Sequence, residues 1–275
     1  MTSVVNEQRE IWDAVSEGWR RWQNVFERGA ASVSTALVRL GGLRPGHSVL
    51  DVGTGLGEPA LTAAGVVGPR GRVIGIDVSP AMISAARARA AHLPFAEFVV
   101  GEVTTTALAP GAFDAVLSRW GLMFAADRAA TLRALAGLLR PGGVLAAATW
   151  APPPAVPMIS LAFRVIAERL ALAPPPPGLP GPFSMADPKA VAAELAEAGF
   201  TEVTVTERKV PFVMDSVSHF VAFSRDVLPP RMRSLVREAA DPLIWEAVAE
   251  AAAAHARPDG SLDLTSTCLC VRGVR

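Results

Sequence analysis

Three absences bound the sequence before any motif is read. No stretch of about 18 apolar residues free of charge or proline occurs in the 275-residue chain, so no membrane-spanning helix is expected. There is no Lys/Arg block, only two lysines are present, and 26 basic residues balance 26 acidic ones. A nucleic-acid groove and an anionic membrane surface both want a basic surplus, so neither partner is expected. Cysteine is scarce, with Cys268 and Cys270 alone. Their spacing puts both thiols on one face of a strand, poorly placed for a disulfide and too few for zinc, so core packing is expected. Residues 1–13 lack an apolar signal core, which makes a cytoplasmic protein the expectation. What is present is a chain 51% hydrophobic with zero net charge. That suits one large α/β domain with an elaboration and a small-molecule ligand; a homodimer is left open.

The chain is organised around Val49-Leu50-Asp51-Val52-Gly53-Thr54-Gly55-Leu56-Gly57-Glu58, an apolar run that breaks into alternate glycines and reads as a buried strand ending in a ligand loop. Glycines there permit positive φ and close approach of a ligand, and Pro59-Ala60-Leu61 opens a helix whose first amides face it. A dinucleotide fingerprint requires a small residue three after Gly55, where Glu58 stands, so NAD fits poorly. Asp51 before the loop would repel a pyrophosphate but suits a ligand carrying an ammonium and a sulfonium, as S-adenosylmethionine (SAM) does. Arg72-Val73-Ile74-Gly75-Ile76-Asp77 then reads as a second strand whose terminal carboxylate lies where ribose hydroxyls are accepted.

Together with Phe113-Asp114-Ala115-Val116 and Leu138-Leu139-Arg140-Pro141-Gly142-Gly143, these segments resemble the class I SAM-dependent methyltransferases, and within them the ubiquinone and menaquinone biosynthesis branch. The resemblance covers roughly residues 45–150. It implies a Rossmann-like, seven-stranded, mostly parallel sheet with helices on both faces, with SAM as cofactor. The implied cofactor residues are Asp51, Gly53, Thr54, Gly55, Gly57, Asp77, Val78, Met82, Glu102, Val103, Ser118, Arg119 and Trp19. Glu102 stands where the family more often has Asp.

Strands are expected at 48–52, 72–77, 96–102, 113–118, 144–150, 201–210 and 264–272, the last antiparallel, with the site at the carboxyl ends by the switch-point rule. Residues 6–40 read as one or two amphipathic helices within an N-terminal segment, 1–42. Trp12, Trp19 and Trp22 can share one face there, either packing on the sheet or closing as a lid. The core spans 43–150, a proline-bounded cap 151–186, and the rest of the core 187–275 with a second helical insertion at about 215–256. Trp120 and Phe124, after the fourth strand, are expected in the substrate pocket, with Arg119 anchoring a polar or anionic group. His219 in the second insertion is the candidate general base. No carboxylate stands at 118–120 for a catechol-type magnesium, so no metal is expected. The reading is a metal-independent methyltransferase for a small aromatic, quinone-like or polyketide-like acceptor. The alternatives are a fold relative catalysing a non-methyl step and a non-catalytic SAM-binding protein.

Overall fold

The computed structural model describes residues 2–176 and 178–275. Met1, and Pro177 in the proline run expected near the end of the cap, lie outside them. Five strands form the parallel half of the main sheet: β1 (Ser48–Val52), β2 (Arg72–Asp77), β3 (Ala96–Val100), β4 (Phe113–Arg119) and β5 (Leu139–Trp150). After β6 (Thr201–Val210) and the short pair β7 (Val213–Met214) and β8 (Leu262–Asp263) comes β9 (Ser266–Val274). The seven-stranded order is β3-β2-β1-β4-β5-β9-β6, with β9 antiparallel to both neighbours. This is the expected Rossmann-like sheet. β5 begins earlier than expected because Leu139 already pairs with Phe113 before a register shift ahead of Val144, and Arg140-Pro141-Gly142-Gly143 fills that irregular lead-in. Cys268 and Cys270 are buried, unbridged residues of β9.

The parallel strands are apolar almost throughout, as strands covered on both faces must be. The covering helices include α1 (Thr2–Leu40), α2 (Ala60–Val67), α3 (Pro80–Arg89), α4 (Arg128–Leu138), α5 (Pro157–Arg169) and α6 (Pro188–Glu197). α3 starts on an N-cap, Ser79, whose side chain accepts from the Met82 amide, with Pro80 at N1; this is the geometry that terminates the β2 loop and starts a helix. The second insertion folds as α7 (Val217–Val227), α8 (Pro230–Ala239) and α9 (Ile244–Ala253).

The N-terminal segment is one helix of 39 residues. Proline is absent from it, and its two interior glycines serve close packing. A Cβ on Gly18 would lie 2.3 Å from the Asp226 carbonyl of α7, and one on Gly29 would lie 2.8 Å from that of Pro211. The C-terminal half of α1 buries Ala30, Val33 and Leu37 in the core. The N-terminal half crosses the carboxyl ends of the strands, where Ile11, Trp12, Val15 and Trp19 wall a cavity. The packing role and the covering role thus fall on successive turns of one helix.

Candidate functional site

The cavity, about 320 Å³, opens where strand order reverses between β1 and β4, the place at which the two following loops diverge. Gly53, Gly55 and Gly57 all take positive φ, at 68°, 52° and 102°, as a loop folding back over its own strand requires. The amides of Gly53 and Thr54 donate to the Ile76 carbonyl at 2.9 and 3.1 Å, which ties the loop to β2. Gly53 also meets Gly121 of the β4 loop, whose Cα lies 2.9 Å from where a Cβ would stand. A Cβ on Gly55 would meet nothing within 4 Å. That residue lines the cavity, so its missing side chain leaves ligand space.

Asp51 does not line this cavity. It is fully buried, and its Oδ2 accepts from Thr54 Oγ1 at 2.6 Å and from the Ala60 amide at 3.0 Å. The carboxylate therefore pins the loop to the start of α2, so Asp51, expected among the cofactor residues, acts on the loop from behind the cavity wall. Burial pushes its pKa up to about 7, against the lowering effect of those two bonds and of Arg119. Gly57 is likewise turned away, its amide bonded to Thr54. Ser118 is spent on the scaffold too, donating through Oγ to the Val52 carbonyl at 2.7 Å.

Asp77 does line the cavity. Oδ2 accepts from the Gly55 amide and Oδ1 from the Ser79 amide, both at 2.9 Å. One carboxylate thus fixes the glycine loop and the start of α3, while each oxygen keeps lone-pair capacity for a ligand hydroxyl. Burial raises its pKa, the two amide bonds oppose that, and the nearby Asp13 carboxylate adds to it. Val78, Met82, Glu102 and Val103 stand in the same wall. Glu102 accepts from the Thr104 amide at 2.8 Å and from its hydroxyl. The wall of this end, with open space at Gly55, the Asp77 carboxylate and an apolar slot at Val78, Met82 and Val103, fits the adenosyl and amino-acid parts of SAM.

The other end is aromatic. Trp19, Phe26, Trp120, Phe124, Trp150 and Phe223 line it. Trp120 sits in the left-handed region, φ 60°, a position costing of order 1 kcal/mol for a bulky residue, with its ring stacked on Trp150 at 4.2 Å. Trp12 meets Phe124 edge-on at 4.9 Å. Trp22, by contrast, leaves the stripe and donates from Nε1 to Asp226 at 2.7 Å.

Two expectations fail here for physical reasons. Arg119 is not a free anchor: Nη1 donates to Glu27 Oε2 at 2.8 Å and to Ser34 at 2.9 Å, and Nη2 to Glu27 Oε1. Its side chain is only 7% exposed, and it ties β4 to α1. His219 stays outside the cavity, with a side chain 49% exposed and Nδ1 3.3 Å from Asp215. Its ring lies edge-on to Trp22, while Phe223, Ser224 and Val227 present α7 to the cavity. A general-base role for His219 is therefore withdrawn.

Sequence reasoning missed Glu27, Asp13, Phe26 and Trp150. Asp13 accepts from Ser79 Oγ at 2.5 Å and from the Ala81 amide at 3.2 Å, so α1 caps α3 from outside. An acidic residue next to Trp12 was its local sign. Trp150 carried a clearer one, since it closes a parallel strand at the end where ligands bind.

Residues 50–147 match the family described as "Methyltransferase domain". The chain is 35% identical over 182 residues to nocamycin O-methyltransferase of Saccharothrix syringae, covering 62% of this chain and 65% of that protein. It is 30% identical over 139 residues to demethylmenaquinone methyltransferase of Symbiobacterium thermophilum, covering 49% and 55%. The chain thus spans less than two thirds of these curated relatives. The fold is shared with the crystal structure of the YcgJ protein from Bacillus subtilis, at TM-score 0.57 and 16% identity, covering 89% of this chain and 98% of that one. With the glycine loop, the Asp77 strand end and the sheet order already in place, residues 50–147 form a methyltransferase domain of the class I SAM-dependent kind, whose methyl donor is SAM.

Proposed function

We propose that the protein transfers a methyl group from SAM to a small, flat, mainly apolar acceptor of aromatic, quinone-like or polyketide-like character. One observation carries this reading: a single cavity joins the glycine loop and Asp77 at one end to a box of tryptophan and phenylalanine rings at the other. When bound, SAM supplies an electrophilic sulfonium methyl group. Asp77, Gly53, Thr54, Gly55, Val78, Met82, Glu102 and Val103 would hold it. The aromatic rings contribute alignment and exclude water, which together account for much of the acceleration available to a displacement of this kind.

No metal is needed in this reading, because the cavity carboxylates already have protein partners. Glu27 holds Arg119, Glu58 pairs with Arg89 at 3.5 Å, Asp77 holds two amides and Glu102 holds Thr104. The test is turnover with methyl-labelled SAM and a panel of uncharged aromatic hydroxy compounds, with and without EDTA. Equimolar S-adenosylhomocysteine and methylated product, unchanged by EDTA, are expected. Product formed with no S-adenosylhomocysteine would favour a non-methyl reaction on the same fold. Loss of turnover on chelation, restored by magnesium, would contradict metal independence.

A further inference from the structure

The cavity is lined by four carboxylates, Glu27, Glu58, Asp77 and Glu102, and by one cationic side chain among the described residues, Arg119. Asp77 and Glu102 lie at the loop end with their backbone partners, and Glu58 is paired with Arg89. At the aromatic end the charged groups are Glu27 and Arg119. The Arg119 fork is closed on Glu27 and Ser34, and its guanidinium carbon lies 5.2 Å from the Trp120 ring centroid. Each Glu27 oxygen accepts one bond from Arg119, which leaves further lone pairs on both. Glu27 remains 23% exposed while Arg119 is 7% exposed. The pair therefore turns its acceptor side to the cavity, and its donor side is covered.

As a unit the pair is neutral and sits against Phe26 and Trp120, whose rings are 5.5 Å apart. A full charge brought beside it would lose its hydration without gaining a counter-charge. A carboxylate or phosphate would also face the Glu27 lone pairs, and such like-charge juxtaposition is strongly unfavourable. A neutral O–H or N–H group meets neither penalty and completes the Glu27 hydrogen bonding.

We infer that the acceptor enters the aromatic end uncharged and is held by an O–H or N–H donor on the Glu27 carboxylate, and that anionic acceptors are refused. This inference rests on the methyltransferase reading. It reverses the expectation that Arg119 anchors an anion, and makes Glu27 the specificity-determining residue.

The test uses the full chain saturated with S-adenosylhomocysteine, whose own binding is measured first; its failure would count against the functional reading itself. Equilibrium dialysis at pH 7 then compares 2-naphthol, its methyl ether, 2-naphthoate and 2-naphthylmethylammonium. The naphthol is expected to bind about 10-fold tighter than either ion and about 5-fold tighter than the ether, which lacks the donor. Glu27→Gln removes the negative charge and leaves Arg119 uncompensated. The naphthoate-to-naphthol affinity ratio should then rise about 10-fold while S-adenosylhomocysteine affinity stays near wild type. Naphthoate, the ammonium or the ether binding the wild type as tightly as naphthol overturns the inference, as does an unmoved ratio in folded Glu27→Gln protein. Failure of all four probes to bind the loaded wild type overturns it too. Should Glu27→Gln not fold, the wild-type ranking decides.

Discussion

Asp51 and Asp77 are both carboxylates at strand ends beside the same glycine loop, yet they do different work. Asp51 is sealed inside, with Oδ1 lacking any partner, so ionisation there is opposed by burial and its pKa stands at about 7 in place of 3.8. A carboxyl whose folded pKa is raised contributes stability that is full below about pH 4 and is lost as pH rises through about 7. Asp51→Asn keeps the shape and one acceptor oxygen without the charge. The Tm difference between variant and wild type should therefore shift in the variant's favour between pH 5 and 8; a constant difference across that range would mean that Asp51 does not titrate there. Asp77 holds the Gly55 and Ser79 amides at the cavity wall, so its loss removes charge-assisted bonds from both loop and ligand. Asp77→Ala should weaken S-adenosylhomocysteine by about 2 to 4 kcal/mol, with Asp77→Asn intermediate. Unchanged affinity by calorimetry would remove Asp77 from the ligand site.

At the scale of elements, α1 decides whether the cavity has a roof. Its N-terminal half reaches the cofactor end through Asp13, whose carboxylate joins Ser79 and the Ala81 amide. Asp13→Ala should leave the sheet intact, since Ala30, Val33 and Leu37 lie several turns away, at a cost of about 1 kcal/mol in stability. Amide exchange in the first three turns of α1 should quicken and S-adenosylhomocysteine should bind several-fold more weakly; exchange as slow as in wild type would deny Asp13 that role. Deleting residues 1–25 is a harsher version of the same test, because it also takes Val15 and Trp19 from buried or cavity positions. The helix itself was legible in the sequence as an apolar stripe. Its dual use was not, because periodicity identifies a buried face without saying which turns meet the sheet and which meet a cavity.

For the whole molecule, the positions of the strands and of Asp77 at a strand end were legible because short-range signals carry them: apolar runs, glycines at fixed offsets and a capped helix start. The Arg119 environment was not, because Glu27 is 92 positions away in sequence and nothing local to either residue marks the pairing. His219 misled for a related reason. It lies one turn before Phe223 on α7, and the packing of Trp22 and Asp226 sets that helix so that the cavity begins only at Phe223. Long-range pairing thus decided which charged groups remained available to a ligand.

The central claim is that this cavity is built for SAM and not for a dinucleotide. Titration calorimetry on the whole protein with SAM, S-adenosylhomocysteine and NAD tests it most directly. One-to-one binding of the first two, with no measurable heat from NAD, is the predicted result. It follows from Glu58 standing where a dinucleotide loop needs a small residue. NAD binding as tightly as S-adenosylhomocysteine, or binding of neither, would contradict the account.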